Sequence, residues 1–128
     1  MLVNHLSLAL SLIYNSSLSY KRSVKVQKTA IVVKVINLLY KEGFIRGFFY
    51  NNYKVTVFLK YSERFIPLIR YIKLISTSGR RLFISVNVLA KMPSNSGVFF
   101  LNTTKGIITD KKALEVFKIG GEVICKIL

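Results

Sequence analysis

The chain has 128 residues, of which 20 are Lys or Arg and five are Asp or Glu, so its formal net charge at pH 7 is +15. Because 52% of the residues are hydrophobic and 12% are aromatic, the composition excludes an intrinsically disordered chain. The length fits one domain or two small subdomains. A chain with this charge calls for an anionic partner, and the candidates are a nucleic acid, an anionic membrane surface and an acidic protein.

The basic residues are spread between apolar runs and do not form a single tail. This distribution indicates a folded body with positive faces, since blocks of like charge are typical of disordered tails. Phosphate groups suit such faces, because each neutralised phosphate releases counterions. The charge pattern therefore favours a nucleic acid as the partner.

Residues that carry catalysis or bind metals are scarce. The chain has one cysteine, Cys125, and one histidine, His5, so an intramolecular disulfide is impossible and any catalytic triad would depend on a histidine near the N-terminus. The acidic residues show no metal-ligand spacing and are Glu42, Glu63, Asp110, Glu115 and Glu122. We expect no enzymatic activity, no metal, no cofactor and no small-molecule substrate.

The first predicted element covers residues 1–18, an apolar stretch interpreted as an amphipathic helix packed on the core. Ser and Asn interrupt the stretch and no Lys or Arg precedes it, so the pattern favours neither a membrane span nor a signal peptide. We interpret residues 14–19 as a polar connection after this helix. Residues 23–27 alternate between apolar and polar side chains and predict a short strand.

Residues 28–42 are the second predicted helix. Their apolar side chains recur at helical spacing, and Gly43 supplies a stop. The β-branched run at 31–33 favours a strand instead, but the segment is long for a strand. Residues 44–50 and 53–61 predict a hairpin, with Asn51 and Asn52 adopting the positive φ of a tight turn.

The second half of the chain reads as short strands, at residues 70–76, 82–86, 98–101 and 122–127. We expect a turn at Ser78 and Gly79 and a loop over residues 91–97. Asp110 is the predicted N-cap of a helix over residues 111–118, which ends near Gly120.

These elements predict an α+β fold with two small subdomains. The predicted N-terminal unit of helices and strands covers residues 1–65, and the predicted strand-rich unit covers residues 66–128. The boundary is placed from Pro67 and a local rise in charge.

The most informative segment is Asn102-Thr103-Thr104-Lys105-Gly106, between a predicted strand and an apolar pair. Three short polar side chains in a row suit contacts with 2′-hydroxyls, phosphate oxygens and base edges. Lys105 adds a point charge, and Gly106 allows close approach of the backbone. The alternative is an ordinary polar turn with a solvated lysine.

Residues 76–128 resemble the C-terminal half of the S8 family of small-subunit ribosomal proteins. The family's Ser-Thr-Ser-Lys-Gly loop corresponds to residues 102–106, and its Met-Thr-Asp step corresponds to Ile108-Thr109-Asp110. Its Gly-Gly-Glu-hydrophobic-Ile-Cys ending reads Gly120-Gly121-Glu122-Val123-Ile124-Cys125 here. Residues 76–83 are similar to the family's Ser-x-Pro-Gly-x-Arg-hydrophobic-Tyr motif, and residues 42–45 match its Glu-Gly-Phe-Ile helix end.

The resemblance implies direct binding to the central domain of small-subunit ribosomal RNA, early in assembly, beside neighbouring small-subunit ribosomal proteins. It implies that Asn102, Thr103, Thr104, Lys105 and Gly106 form the main RNA-facing loop. It extends the RNA-binding face to Arg81, Phe83, Gly120, Gly121 and Glu122. Phe83 stands where the family often has Tyr, so its ring can stack on a base without the hydroxyl contact; the alternative is a core phenylalanine. We expect Cys125 to be a small buried hydrophobe.

Two departures from the family lie in the first half. The family's Arg-x-Arg-Asn in the first helix is Leu12-Ile13-Tyr14-Asn15 here, and its Pro-Ser-Ser-Lys is Gln27-Lys28-Thr29-Ala30. We expect Lys28 and Thr29 to supply the lost RNA contacts, shifted by two positions. A diverged organellar RNA accounts for such changes.

The chain is rich in Ile, Lys, Phe, Tyr and Asn, which is typical of AT-rich coding in organelle genomes. Together with the missing presequence, this predicts a protein made and used in the mitochondrion, within the mitoribosome, with a plastid or a bacterial cytoplasm as alternatives. Two other functions stay open. One is a non-ribosomal RNA-binding factor, and the other is a peripheral membrane protein that uses the first helix and the basic surface.

Overall fold

The computed structural model describes residues 2–76, 79–92 and 97–128. The chain divides into two compact units, Met1–Arg70 and Tyr71–Leu128. Helices and antiparallel sheets occur in both, so the predicted α+β class is confirmed. In chain order the elements are α1 (Leu2–Leu18), β1 (Ser23–Gln27), α2 (Ala30–Lys41), β2 (Ile45–Tyr50), β3 (Lys54–Leu59), β4 (Ile72–Leu74), β5 (Phe83–Ile84), α3 (Val86–Ala90), β6 (Val98–Thr103), β7 (Gly106–Thr109), α4 (Asp110–Lys112) with a π-helical continuation (Ala113–Phe117), and β8 (Gly121–Ile127).

In the N-terminal unit, α1 and α2 contact each other and a three-stranded antiparallel sheet of order β1-β3-β2. The predicted first helix is confirmed, and its Leu6, Leu10 and Ile13 are buried. Most of its apolar side is therefore used inside the protein. Within the part of the chain that the structure describes, no helix combines the length and the apolarity needed to cross a bilayer.

The polar connection expected at residues 14–19 is wrong, because α1 continues to Leu18. Ser16 and Ser17 are small enough to be buried in the core. Two residues after the helix end, Tyr20 has φ +57°. The Tyr20 amide donates to the Ser17 carbonyl and the Lys21 amide to the Ser16 carbonyl, an arrangement that satisfies the carbonyls of a last helical turn.

The second helix is confirmed against the strand alternative. Thr29 is its N-cap, since its Oγ1 accepts a hydrogen bond from the Val32 amide at 3.3 Å. At the other end Gly43, with φ +82°, donates its amide to the Tyr40 carbonyl. The predicted stop at Gly43 is therefore confirmed, and only a residue that tolerates positive φ fits there easily.

The predicted hairpin is confirmed as β2 and β3, but its turn forms by another mechanism. Neither Asn51 nor Asn52 has a positive φ. Asn51 Oδ1 instead accepts from the amides of Tyr53 and Lys54, at 2.9 and 2.8 Å. The asparagine is needed for its side-chain acceptor, which closes the turn.

In the C-terminal unit, β8 is the central strand. β6 pairs along one edge of β8 and β7 continues the sheet beyond it, while β4 and β5 pair with the two ends of the other edge. The helical segments cover a core formed by one buried side chain from each of five elements, namely Leu89, Leu101, Ile108, Ala113 and Val123.

Two local predictions in this unit are wrong. Residues 82–86 are not extended throughout, because Ser85 caps α3 by accepting from the Val88 amide. The N-cap of α4 is Thr109, whose Oγ1 accepts from the Lys112 amide at 3.3 Å, whereas Asp110 Oδ1 accepts from the Phe99 amide. The helical segment ends before Gly120, at Lys118, which has φ +53°.

The contacts divide the chain after Arg70, whereas the sequence places the boundary after residue 65. The intervening residues stay with the first unit because the Ser62 amide donates to the Ile66 carbonyl, Pro67 pairs with Tyr61, and Ile69 is buried. The division at residue 65 into functional subdomains stays a prediction. Ser78 and residues 93–96 of the predicted loop lie outside the described residues.

Candidate nucleic-acid interface

The segment at residues 102–106 is a tight β-hairpin rather than a loop. Asn102 and Thr103 belong to β6 and Gly106 begins β7, so only Thr104 and Lys105 form the turn. The strand predicted to end at residue 101 therefore continues to Thr103. Thr104 and Lys105 are exposed at the tip of this paired hairpin.

The hydroxyl of Thr103 is used inside this hairpin. It donates to the Gly106 carbonyl at 2.9 Å and accepts from the Lys105 amide at 3.1 Å. A hydroxyl has one proton and two lone pairs, so one acceptor position is left for a ligand. Gly106 has φ +103° with open space beside its α-carbon, so its backbone conformation, and not steric crowding, explains the glycine.

The register of the sheet brings Phe83, Glu122 and Asn102 side by side. Glu122 pairs with Phe83 on one side and with Asn102 on the other, and Asn102 pairs with Ile107 of β7. Directly opposed residues share one face of a sheet. We call residues 81–83, 102–107 and 120–122 the hairpin end of the C-terminal sheet. It unites ten of the residues proposed from the sequence, and it adds Leu82 and Ile107, which sequence reasoning missed.

Phe83 has 74% of its surface exposed, so the alternative of a core phenylalanine is wrong. The segment that carries it is fixed by Ser76, whose buried Oγ donates to the Val123 carbonyl and accepts from the Leu82 amide. Sequence reasoning did not assign this role to Ser76. The exposed ring is thus held in a defined place by a buried hydrogen bond.

Arg81 lies beside Glu122, with Arg81 Nε 4.0 Å from Glu122 Oε1. Since 59% of the Arg81 side chain is exposed, solvent screens this ion pair and it adds little stability. The guanidinium group nevertheless lies near the row of Phe83, Glu122 and Asn102.

Gly120 and Gly121 are explained by packing between strands. A β-carbon at Gly121 would lie 2.6 Å from the Asn102 carbonyl oxygen and 2.7 Å from Thr103 Cγ2, and one at Gly120 would collide with the Ile84 carbonyl. The two glycines therefore let β8 approach β5 and β6 closely. Their contact with RNA stays a prediction.

Lys28 and Thr29 belong to the N-terminal unit. The Thr29 hydroxyl caps α2, and the Lys28 ammonium lies 4.5 Å from the centre of the Tyr50 ring. The Lys28 amide also donates to the Tyr53 carbonyl at 2.9 Å. Both residues thus have structural roles in their own unit, and their contacts with RNA stay a prediction.

Among the described residues, the groups that carry acid–base, thiol or metal chemistry are not clustered. Cys125 is buried as expected, and burial raises the pKa of its thiol to about 12, so it is a neutral thiol at physiological pH. Across the described ranges, no three His, Cys, Asp or Glu side chains lie close enough together to hold a metal ion.

An exposed ring, short polar side chains and cationic groups lie together at one end of a sheet, on a chain of charge +15. This combination is typical of RNA-binding proteins.

The sequence model of ribosomal protein S8 matches residues 4–128. Small ribosomal subunit protein uS8m of Acanthamoeba castellanii is 42% identical over 107 residues, which are 81% of this chain and 83% of that protein. Small ribosomal subunit protein uS8 of Blochmanniella pennsylvanica is 36% identical over 119 residues, 91% of this chain and 90% of its own. The uS8 of Geotalea uraniireducens is 36% identical over 127 residues, with 92% of each chain covered. The chain belongs to the ribosomal protein S8 family, and the resemblance seen in its sequence is confirmed.

Proposed function

We propose that this chain is a structural constituent of the small ribosomal subunit and binds the central domain of small-subunit ribosomal RNA through the hairpin end. The observation that carries the proposal is the pairing of Glu122 with both Phe83 and Asn102. It joins three separate sequence motifs into one surface beside the exposed hairpin tip. Membership of the S8 family and the names of its relatives support the same role.

The side chains of the hairpin end suit recognition of RNA by shape. Asn102 and Thr104 are short donors and acceptors that fit the shallow minor groove, where 2′-hydroxyls and base edges are displayed. Lys105 neutralises a phosphate. Phe83 stacks on an unpaired base, which contributes on the order of 1–3 kcal/mol per base.

This role needs no catalytic group, metal or cofactor. The protein acts by neutralising phosphates and by fixing the path of the RNA, since phosphate contacts position a complex while base contacts specify it. Neighbouring small-subunit ribosomal proteins are its further partners in this proposal.

We also infer that the protein works in a mitochondrial ribosome. The support is its likeness to a uS8m, at 42% identity, together with the composition typical of AT-rich organelle genomes. Sedimentation of an organelle extract tests both claims. We expect the protein to migrate with small subunits, and its migration as a free protein or with other RNA would favour a non-ribosomal RNA-binding factor.

The direct test is binding to a transcript of the central domain of small-subunit ribosomal RNA. We expect this transcript to bind more tightly than an unrelated structured RNA of equal length. Asn102→Ala should reduce that preference with little effect on folding, because its side chain is exposed. Equal affinity for both RNAs, in the wild-type protein, would overturn the proposed function.

A further inference from the structure

The C-terminal unit contains a second basic feature, outside the residues assigned to RNA from the sequence. An open pocket of about 510 Å³ lies against β4, β8 and β6, and its lining includes Tyr71, Lys73, Arg80, Phe99 and Lys126. None of the described residues that line it is acidic. Three cationic side chains therefore share one concave surface without a carboxylate among them.

The register of the sheet places two of these cationic residues directly opposite each other. Lys73 of β4 stands directly opposite Lys126 of β8, and Lys126 stands directly opposite Phe99 of β6. Like charges at directly opposed positions destabilise an antiparallel pair. The Lys126 ammonium lies 5.6 Å from the centre of the Phe99 ring, a contact that holds it in place. An anion between the two lysines would turn this repulsion into attraction.

The position of the pocket indicates which anion it binds. Arg80 lines the pocket, and the next residue, Arg81, lies beside Glu122 at the hairpin end. Consecutive α-carbons are only about 3.8 Å apart, so the pocket and the hairpin end are neighbours within the C-terminal unit. RNA bound at the hairpin end would therefore bring its phosphates close to the pocket.

We propose that the pocket formed by Lys73, Arg80 and Lys126 binds the phosphate backbone of the RNA that the hairpin end recognises. This inference rests on the proposed function and extends its site. Lys73 and Lys126 provide point charges, while the planar Arg80 guanidinium can bond two oxygens of one phosphate. The pocket is open to solvent, which suits a strand that passes across it. It adds affinity without sequence preference, because phosphates carry no sequence information.

The test is the double substitution Lys73→Met and Lys126→Met, which keeps the length of both side chains and removes both charges. The matched control is Lys91→Met with Lys118→Met, two exposed lysines of the same unit that do not line the pocket. Affinity for the central-domain transcript is measured between about 50 and 200 mM salt. We expect the RNA affinity of the double variant to fall about tenfold at the lowest salt. Its salt slope should decrease by about one to two units, because each lost phosphate contact contributes about 0.7–0.9 to the slope. The RNA affinity of the control variant should stay within about twofold of the wild-type value. If the control variant lost as much affinity as the pocket variant, the pocket inference would be overturned.

A second variant separates this inference from the proposed function. If the pocket variant binds like the wild type while Lys105→Ala at the hairpin tip weakens binding, the pocket inference is overturned and the function stands. If the wild type shows no preference for the transcript, both are overturned. A pocket variant that keeps its RNA affinity but loses binding to polyglutamate would assign the pocket to an acidic protein and overturn the RNA inference.

Folding of the variants is followed by thermal unfolding. Because the substitution removes two like charges that face each other, the free double variant should unfold at a temperature no lower than the wild type. Lys73→Met alone, at an exposed position, gives a second variant with about half the change in salt slope. An unchanged slope in this folded single variant would also count against the pocket.

Discussion

Asn102 stands opposite Glu122 because the register between β6 and β8 shifts by one residue between Phe100 and Leu101. With the register of Phe100 and Cys125 continued unchanged, Asn102 would face Val123, a residue of the buried core. A one-residue slip moves side chains to the other face of a sheet. The irregularity therefore places Asn102 opposite Glu122 while Leu101 pairs with Val123 in the core.

The two threonines of the hairpin should separate folding from binding. Thr104→Val removes a hydroxyl from the exposed tip, so we expect a loss of about 1–3 kcal/mol in affinity for the central-domain transcript if its partner on the RNA is left unpaired. Thr103→Val removes two hydrogen bonds within the hairpin, so it should lower the free energy of unfolding. Binding isotherms and urea unfolding measure the two effects, and unchanged affinity in a folded Thr104→Val would remove the tip from the site.

Lys105 should act through its charge alone. Lys105→Ala should weaken binding to any RNA and reduce the salt slope by about one unit, as expected for one phosphate contact. Lys105→Arg, which keeps the charge, is the control and should retain the slope. Identical slopes for the wild type and the alanine variant would show that Lys105 makes no phosphate contact.

The exposed ring of Phe83 should contribute to binding and little to folding. Phe83→Leu should reduce RNA affinity by about 1–3 kcal/mol, the contribution of one stacked base, while the melting temperature stays close to that of the wild type. Phe83→Tyr keeps the ring and should bind at least as well. A large loss of stability in Phe83→Leu, with unchanged affinity per folded molecule, would contradict stacking.

Gly121 should be intolerant of any side chain. Gly121→Ala places a methyl group 2.6 Å from the Asn102 carbonyl oxygen, and overpacking of this kind costs about 1–3 kcal/mol of stability. Gly47→Ala is the matched control in a strand, because no atom lies within 4 Å of its added β-carbon. Chemical unfolding of the two variants measures the difference, and equal stability would mean that β8 can move away from β6.

Cys125 should make the protein sensitive to alkali. Burial raises the folded-state pKa of its thiol from 9.0 to about 12. The folded state therefore favours the protonated thiol, and the corresponding stability is complete below pH 9 and is lost as the pH rises toward 12. Unfolding as a function of pH should show a shallower alkaline decline in Cys125→Ala than in the wild type. Rapid alkylation of the folded wild type by iodoacetamide at pH 8 would contradict the burial.

Local patterns predicted the elements whose apolar residues repeat regularly, such as α1, α2 and β8. They failed where a single side-chain hydrogen bond decides the structure. Asn51 closes its turn through its side-chain oxygen, and Thr109 rather than Asp110 caps α4. α3 was missed because its five residues are too few for a helical period to stand out.

The candidate site was predictable as separate motifs and not as a surface. The resemblance to a family named Phe83, residues 102–106 and residues 120–122, but their assembly depends on strand register and on a bulge, which no local pattern encodes. The basic pocket was missed for the same reason. Lys73 and Lys126 are far apart in sequence, and only the pairing of β4 with β8 makes them neighbours.

The central place of β8 has a consequence for synthesis. β4, β5 and β6 all precede β8 in the chain, and each of them pairs with it. While a chain is being elongated and residues 121–127 are still inside the exit tunnel, β4 and β5 have no partner and the Phe83 segment has nothing to pair with. A nascent chain of this kind stays unfinished in its C-terminal unit until this strand emerges. Gly120 and Gly121, at the start of β8, then let this strand insert between β5 and β6, which have already been synthesised.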